Sequence, residues 1–363
     1  MPVRVEVPHG EDALTEAILF HDRVYADRGA HWPALVPFQL PILTGDSPFA
    51  EGRTFRAFVA RDGGDVVARV VAVIDERYRR HWNERLGHLI MFEALPDTRD
   101  AVRRLMDAAC DWLRDEGADA ARAGFGALEF PFAIDDYESL PPSIVRQNPA
   151  YYHALLKDAG FETEQGWVDY KMEVTPDLLA RWESAVAAVE RAGYRLVPLA
   201  NVSAANRVPR FTRLWNDAFR AHWGFSPFSE AELSLLFDAF AVGGVLEAST
   251  MAFRGDEPVG AVWVAPESTA LAALAPGRRL AGAEKLNFLG IAVAEPARGR
   301  GINLALAGAA FLELVRRGAT WVSYTLVLDD NWPSRRTAEK LGGSVCANYV
   351  VYRRDWSPGA RRR

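Results

Sequence analysis

Residues 295–306, EPARGRGINLAL, join two apolar runs, LNFLGIAVA at 286–294 and INLALAGAAFLELV at 302–315. Two arginines and two glycines, Arg298-Gly299-Arg300-Gly301, therefore stand between segments that both read as buried. The first run reads as a strand and the second as a helix, so the link is a glycine-rich turn into a helix start. The first N–H groups of a helix have no partner within it, and its positive end suits an anion. Glycine lets a phosphate come close to the backbone and permits positive φ. Arg298 and Arg300 can add charge-assisted hydrogen bonds. The loop is too short for a Walker P-loop, lacks its Lys-Ser/Thr, and lacks the G-x-G-x-x-G spacing of a dinucleotide fold. A diphosphate on another kind of cofactor fits it better.

Working outward, the chain has 363 residues, enough for two ordinary domains. Apolar residues make up 49% and charged residues 25%, the balance of a soluble globular protein. No apolar run reaches the ~18 residues of a membrane span. The opening MPVRVEVPHGED lacks the apolar core of a signal peptide, so a cytoplasmic location is expected. The 2 cysteines, Cys110 and Cys346, make neither a disulfide framework nor a zinc site, and no metal is expected. A net charge of −6 argues against a nucleic-acid partner.

The sequence repeats itself. NPAYYHALLKDAGFETEQGWVDYKM (148–172) and NWPSRRTAEKLGGSVCANYVVYRR (331–354) each open on Asn, pass through a short helical segment to Gly160 or Gly342, and continue as an aromatic-rich strand. From those glycines no gap is needed, and Trp167 matches Tyr349, Val168 Val350, and Tyr170 Tyr352. FVARDGGDVVARVVAV (58–73) and MAFRGDEPVGAVWV (251–264) both read as strand, tight turn, strand. AVRRLMDAACDWLRDEGA (101–118) and INLALAGAAFLELVRRGA (302–319) both read as a helix closed by Gly-Ala. Three matches in the same order predict a tandem duplication. Each half reads β, α, β-hairpin, β, α, β, α, β, giving mixed α/β folding with sheets part antiparallel and part parallel. The predicted boundary lies near 174, giving domains 1–174 and 175–363, with 176–192 as a connecting helix. In the second half, helices are expected over 207–223 and 229–241, the latter with a Ser229/Glu232 capping box, and VLEASTMAFR as a strand.

LGIAVAEPARGRGINLAL resembles the acyl-CoA site of the GNAT superfamily of N-acyltransferases, whose signature is Arg/Gln-x-x-Gly-x-Gly/Ala between an apolar strand and a helix. Arg298 and Gly301 match it. Asn303 stands where the family prefers Gly or Ala, and Pro296 is one residue later than usual. Asn331, before AEKLGG, matches a second landmark. The element order of both halves extends the resemblance to the whole chain as a tandem GNAT protein. More narrowly the chain is similar to a bacterial group with His31-Trp32-Pro33 early, N-P-x-Y-Y mid-chain, and Asn216 to Phe225 spanning N-x-x-x-x-x-W-G-F. The resemblance implies two GNAT-like domains, with acetyl-CoA or another acyl-CoA as co-substrate. Its diphosphate would lie on Arg298, Gly299, Arg300, Gly301, Ile302 and Asn303. Its pantetheine arm would pair with the backbone of Ile291, Ala292 and Val293, where an N–H would polarise the thioester carbonyl. The corresponding stretch of the first half, EALPDTRDAV (93–102), has no glycine and carries Asp97 and Asp100, so that half is expected to keep the fold without the cofactor.

Asn331 reads equally as a helix cap and as a cofactor contact, and the two are compatible. The family's helix tyrosine, which protonates the leaving thiolate, falls on Ala338 here. Tyr324 is the substitute candidate, against a plain structural role. Asp329 and Asp330 end their strand near the expected reaction point, and Asp329 is the candidate base, against a routine turn role. Glu295 reads as a solvated turn carboxylate. In NDAFRAHWGFSPF (216–228), Asn216, Phe219 and Trp223 share one helical face. His222, Trp223 and Phe225 are the candidate acceptor contacts, against simple packing. His81, His88 and His153 read as structural. The leading function is transfer of an acyl group, acetyl in the simplest case, to the amine of a small molecule or amino acid. A Fem-type aminoacyl-tRNA-dependent transferase and a non-catalytic CoA-binding module are the alternatives. Neither the acceptor's identity nor the oligomeric state is legible.

Overall fold

The structure, a computed structural model, describes residues 2–28, 31–126, 128–137, 147–241, 244–266 and 286–356. The first half runs β1 (Arg4–Glu6), α1 (Gly10–Val24), α2 (Val36–Thr44), β2 (Arg53–Asp62), β3 (Asp65–Asp75), α3 (Glu76–Trp82), β4 (Leu86–Ala94), α4 (Arg99–Asp115), β5 (Ala120–Ala123), β6 (Phe132–Ala133), α5 (Tyr152–Asp158) and β7 (Glu162–Glu173). The second runs α6 (Pro176–Arg191), β8 (Tyr194–Pro198), α7 (Ala204–Phe219), α8 (Glu230–Phe240), α9 (Val245–Ala248), β9 (Thr250–Arg254), β10 (Glu257–Pro266), β11 (Leu286–Val293), α10 (Ile302–Arg316), β12 (Trp321–Leu328), α11 (Trp332–Lys340) and β13 (Ser344–Asp355).

The opening question has a packing answer. β11 is the end strand of a four-stranded antiparallel sheet, β11-β10-β9-β8. α10 crosses that sheet with Ile302, Ala305, Leu306, Ala310, Phe311 and Leu314 buried, and α6 covers its other side with the fully buried Trp182 tilted against Phe311. A helix packed on both sides is apolar nearly all round. The glycine loop is the surface crossing between these two buried pieces.

Two expectations about local structure need correction. VLEA (245–248) is a helical turn, α9, and the strand begins only at Thr250. Gly244, with φ of 84°, starts that turn, and a four-residue apolar run cannot be assigned to helix or strand by periodicity alone. The helix read over 207–223 spans Ala204–Phe219 instead. The capping box is present. Ser229 Oγ accepts from Glu232 N at 3.2 Å, and the Glu232 carboxylate accepts from Ser229 N at 2.7 Å.

The other sheet has nine strands, in the order β1-β2-β3-β4-β5-β13-β7-β12, with β6 also on β13. Only the β4–β5 pairing is parallel. The last strands of the halves are exchanged: β13 inserts between β5 and β7 of the first half, and β7 pairs with β12 of the second. The register records the duplication. Trp167 faces Tyr349, its own repeat counterpart, and Val168 faces Asn348 while Gly166 faces Val350. A pseudo-two-fold axis therefore passes through the Trp167–Tyr349 pair.

Asp169 fastens this seam. Its carboxylate, 2% exposed, accepts from Leu326 N at 2.6 Å and from Tyr349 Oη at 2.7 Å. Leu326 holds a φ of 56°, at the register break of β12 between Tyr324 and Val327. An Asp169→Asn exchange puts an amide donor where one acceptor oxygen must be, leaving a buried donor unsatisfied. The expected loss is about 1–3 kcal/mol, read as a lower denaturant midpoint. An unchanged midpoint would show that the seam does not depend on this carboxylate.

Among the described residues no helix is long and apolar enough to cross a membrane.

Candidate acyl-transfer site

β11 and β12 are the end strands of the two sheets and lie near each other without a ladder between them. Alternate N–H and C=O groups of β11 thus face a gap instead of a partner strand. The register of β10 on β11 breaks between Trp263 and Val264, beside Gly290. Gly290 has φ of 150°, and a Cβ there would lie 3.0 Å from both Trp215 and Phe219 of α7. Two aromatic rings close on that point of the strand, so only glycine leaves room.

At the end of the gap lies the loop. Gly299 and Gly301 have φ of 75° and 78°. Gly301 caps α10, and the first helical bond runs from Ala305 N to Gly301 O at 3.1 Å. The N–H groups of Ile302, Asn303 and Leu304 thus precede any helical acceptor, and nothing stands within 4 Å of the place a Cβ would take at either glycine. The Arg298 guanidinium is steadied by Nε donating to Val293 O at 3.2 Å. Arg336 and Lys340, on consecutive turns of α11, line the same cleft, and neither has a carboxylate partner among the described residues. Three cations, open backbone donors and a helix start fit a di- or polyphosphate.

A cavity of about 1350 Å³ begins here and runs on between the halves. Arg298, Gly299, Gly301, Ile302, Asn303 and Asn331 line it, together with Ile291, Val293, His222, Phe225 and Tyr324. Ala292 is fully buried in the core, so only its backbone is available. Arg300 is exposed and lies outside the wall. Asn303 turns sideways, donating from Nδ2 to Thr337 Oγ1 at 3.0 Å and so tying α10 to α11. Asn331 caps α11, accepting from Ser334 N at 3.2 Å, and lines the cleft as well.

Tyr324 projects from β12 into the cavity wall and shares a 3.0 Å hydrogen bond with Ser334 Oγ. Burial pushes its hydroxyl up to about 12, against a smaller lowering by Ser334, so it carries a proton at any ordinary pH. Ala338 is fully buried in the core, and a tyrosine there would have no room. His222 Nδ1 donates to Trp223 O at 3.2 Å, which leaves the lone pair on Nε2. Burial lowers its pKa, against smaller opposing effects of the Trp223 carbonyl and Asp330.

Besides Arg300, two sequence candidates lie elsewhere. Asp329 is exposed and outside the cavity wall, with Oδ1 accepting from Gln165 Nε2 at 2.9 Å. Gly166 has no Cβ, and one built there would lie 2.1 Å from Asp329 Oδ2. That slot turns the carboxylate onto β7, away from the cleft. Trp223 stacks over Arg122 at 4.2 Å and packs on Phe125 and Trp167, behind the wall. Ser334, Arg336 and Lys340 escaped the sequence reading. The spacing of the last two, one helical turn apart on a helix that Asn331 opens, was the available signal.

The first half repeats the bulge without the cradle. β4 leaves β5 after Leu89, its register on β3 breaks between Arg69 and Val71, and Met91 holds a φ of 53°. Met91 N is already taken by the Glu129 carboxylate. At the start of α4, Asp100 is paired with Arg103 and Arg104 at 2.6 and 2.8 Å, so negative charge stands where the other half keeps open donors. No group of His, Cys, Asp and Glu among the described residues is placed to hold a metal.

Comparison with known proteins agrees with this geometry. Residues 208–343 match the acetyltransferase (GNAT) family. Protein YghO of Escherichia coli K12 is 22% identical over 228 residues, 62% of this chain and 58% of that protein. A bacterial ceramide synthase of Caulobacter vibrioides is 28% identical over 190 residues, 51% of this chain and 49% of that protein. The chain thus spans about half the length of these relatives. Among solved structures, a tandem GNAT protein from the clavulanic acid biosynthesis pathway, without AcCoA, superposes with a TM-score of 0.62 at 15% identity, covering 99% of this chain and 100% of that one. The match to the GNAT family thus lies in the second half, and the chain over its whole length has the fold of a tandem GNAT protein.

Proposed function

We propose that the protein moves an acyl group from acyl-CoA to the amine of a small molecule or amino acid, on the second half of the chain. The observation that carries this reading is the unladdered gap beside β11 ending on the glycine cradle with Arg298, Arg336 and Lys340. Acyl-CoA, when bound, supplies the acyl group already activated as a thioester. The residues supply the rest. N–H groups of β11 face the gap and can polarise a carbonyl oxygen. Tyr324 holds a proton at Oη for a leaving sulfur. His222 offers a neutral Nε2 to take a proton from the attacking amine. The first half binds no second acyl-CoA in this reading, because Glu129 occupies its bulge N–H and Asp100 its helix start.

The direct test is thiol release from acetyl-CoA and longer acyl-CoAs over a panel of primary amines. Release that depends on both substrates supports the reading. Calorimetric binding of CoA without turnover on any amine would favour a binding module instead.

Two residue predictions accompany it. Tyr324→Phe is expected to lower kcat by about 10²–10⁴-fold with CoA affinity little changed, since the hydroxyl acts only as the sulfur leaves. Equal turnover in both proteins would return Tyr324 to a structural role. His222 must be neutral to accept a proton, and its pKa is depressed below the usual 6.5. Competence is therefore complete at neutral pH and lost only as pH falls below that value. The acid limb of kcat/KM should lie under 6.5 in the wild type and disappear in His222→Gln. A limb that persists in the variant belongs to another group.

A further inference from the structure

The cavity continues past the reaction point. Beyond Gly290 it opens into a lobe walled by Phe38 and Ile42 of α2, Phe228, Leu236 and Ala239 near and on α8, and Trp263 of β10. These side chains are all apolar or aromatic, and they come from both halves. The whole cavity, about 1350 Å³, also takes in the cradle at the start of α10 and, in the first half, the polar Gln39, Arg69 and Glu93.

The lobe lies on the side of the proposed base. His222 packs on Phe219, Phe219 on Phe225, and Phe228 on Trp263, with ring centroids 5.4, 6.0 and 6.2 Å apart. Whatever hangs from an amine held at His222 therefore runs along this aromatic wall into the lobe. A short polar acceptor would leave the lobe filled with water against apolar walls.

We propose that the lobe holds the alkyl chain of the acceptor, so that the substrate class is long-chain primary amines. The proposal rests on the acyl-transfer reading for its reaction point, but the lobe itself can be tested without turnover. Covering an apolar chain on both sides removes it from water along its length, and each fully buried methylene is worth about four-fold in affinity. Ala239 is exposed and lines the rim of the lobe, where a larger side chain can enter without disturbing the core.

The experiment pairs two measurements on the full chain. The first is calorimetric binding of n-alkylamines from butylamine to hexadecylamine, below their aggregation concentrations and without acyl-CoA. The second is thiol release with acetyl-CoA and the same amines. Affinity and kcat/KM are expected to rise by about two- to four-fold per methylene up to a plateau. Ala239→Trp is expected to bring the plateau to shorter chains, while CoA affinity reports that the variant is folded. Binding that rises with chain length but without thiol release would keep the lobe and remove the acyl-transfer reading. Thiol release with no dependence on amine length would do the reverse. A length dependence found only in the acyl-CoA would assign the lobe to the donor and overturn the proposal. Should Ala239→Trp lose CoA binding, Leu236→Ala, expected to weaken long-chain amines alone, decides the same question.

Discussion

A Gly301→Glu variant is expected to show no heat on titration with acetyl-CoA, against an expected one equivalent for the wild type. The glycine sits at φ of 78°, at the cap of α10, with open space around its missing Cβ. A side chain is therefore not blocked, but the backbone is strained by roughly 1–2 kcal/mol in the left-handed region. The larger effect is charge. A carboxylate at the helix start would draw Arg298, Arg336 and Lys340 to itself and repel a diphosphate. The loss should exceed a hundred-fold, about 2.7 kcal/mol. Gly301→Ala separates the two causes, because it carries the strain without the charge and is expected to weaken CoA only modestly. The helix should survive both changes, since an acidic residue is favourable at a helix N-terminus. Wild-type affinity in the glutamate variant would remove the loop from CoA binding altogether.

Cutting the chain after residue 174 is expected to leave two fragments that do not fold alone. The sequence places the boundary there, but β13 lies between β5 and β7, and β7 lies against β12. Fragment 1–174 would lose the strand between β5 and β7 and expose the N–H and C=O groups of both. Fragment 175–363 would keep β13 and β12 with no strand between them. It would also keep Glu232, fully buried against Arg53 and Arg77 of the first half, without either partner. A buried carboxylate stripped of its cations is strongly destabilising, typically about 3–5 kcal/mol. Near-UV circular dichroism and thermal melts should show no cooperative unfolding in either fragment, and co-expression should restore it. A cooperative melt in fragment 1–174 would mean that its sheet can close without β13.

The legible parts were local. The glycine loop, the capping box at Ser229 and the helix over 302–316 are fixed by neighbours a few residues away, and sequence spacing exposes them. The repeat was legible because two copies of one pattern could be compared within the chain. The exchange of last strands was not, because pairing across more than a hundred residues leaves no periodic trace. Asp329 shows the same limit at one residue. Its position at a strand end was read correctly, but its direction depends on a slot at Gly166, 163 residues earlier. Trp223 was placed in the acceptor group by the resemblance of 216–228, while its helical spacing pointed to packing, and Arg122 of the other half holds it behind the wall. The lobe was invisible for the same reason, since α2 and α8 come to line one cavity only in three dimensions. The stretches 267–285 and 357–363 lie outside the described residues.

The pairing of Trp167 with Tyr349 has a consequence for how the two clefts came to differ. Antiparallel strands that meet about a two-fold axis are what two identical chains form when they associate. In such a homodimer every substitution is made twice, so a glutamate that plugs one cleft plugs both. Fusion into one polypeptide removes that constraint while keeping the contact. Glu129 could then close one cleft and Gly299 and Gly301 keep the other open, with the freed half still lining its neighbour's cavity.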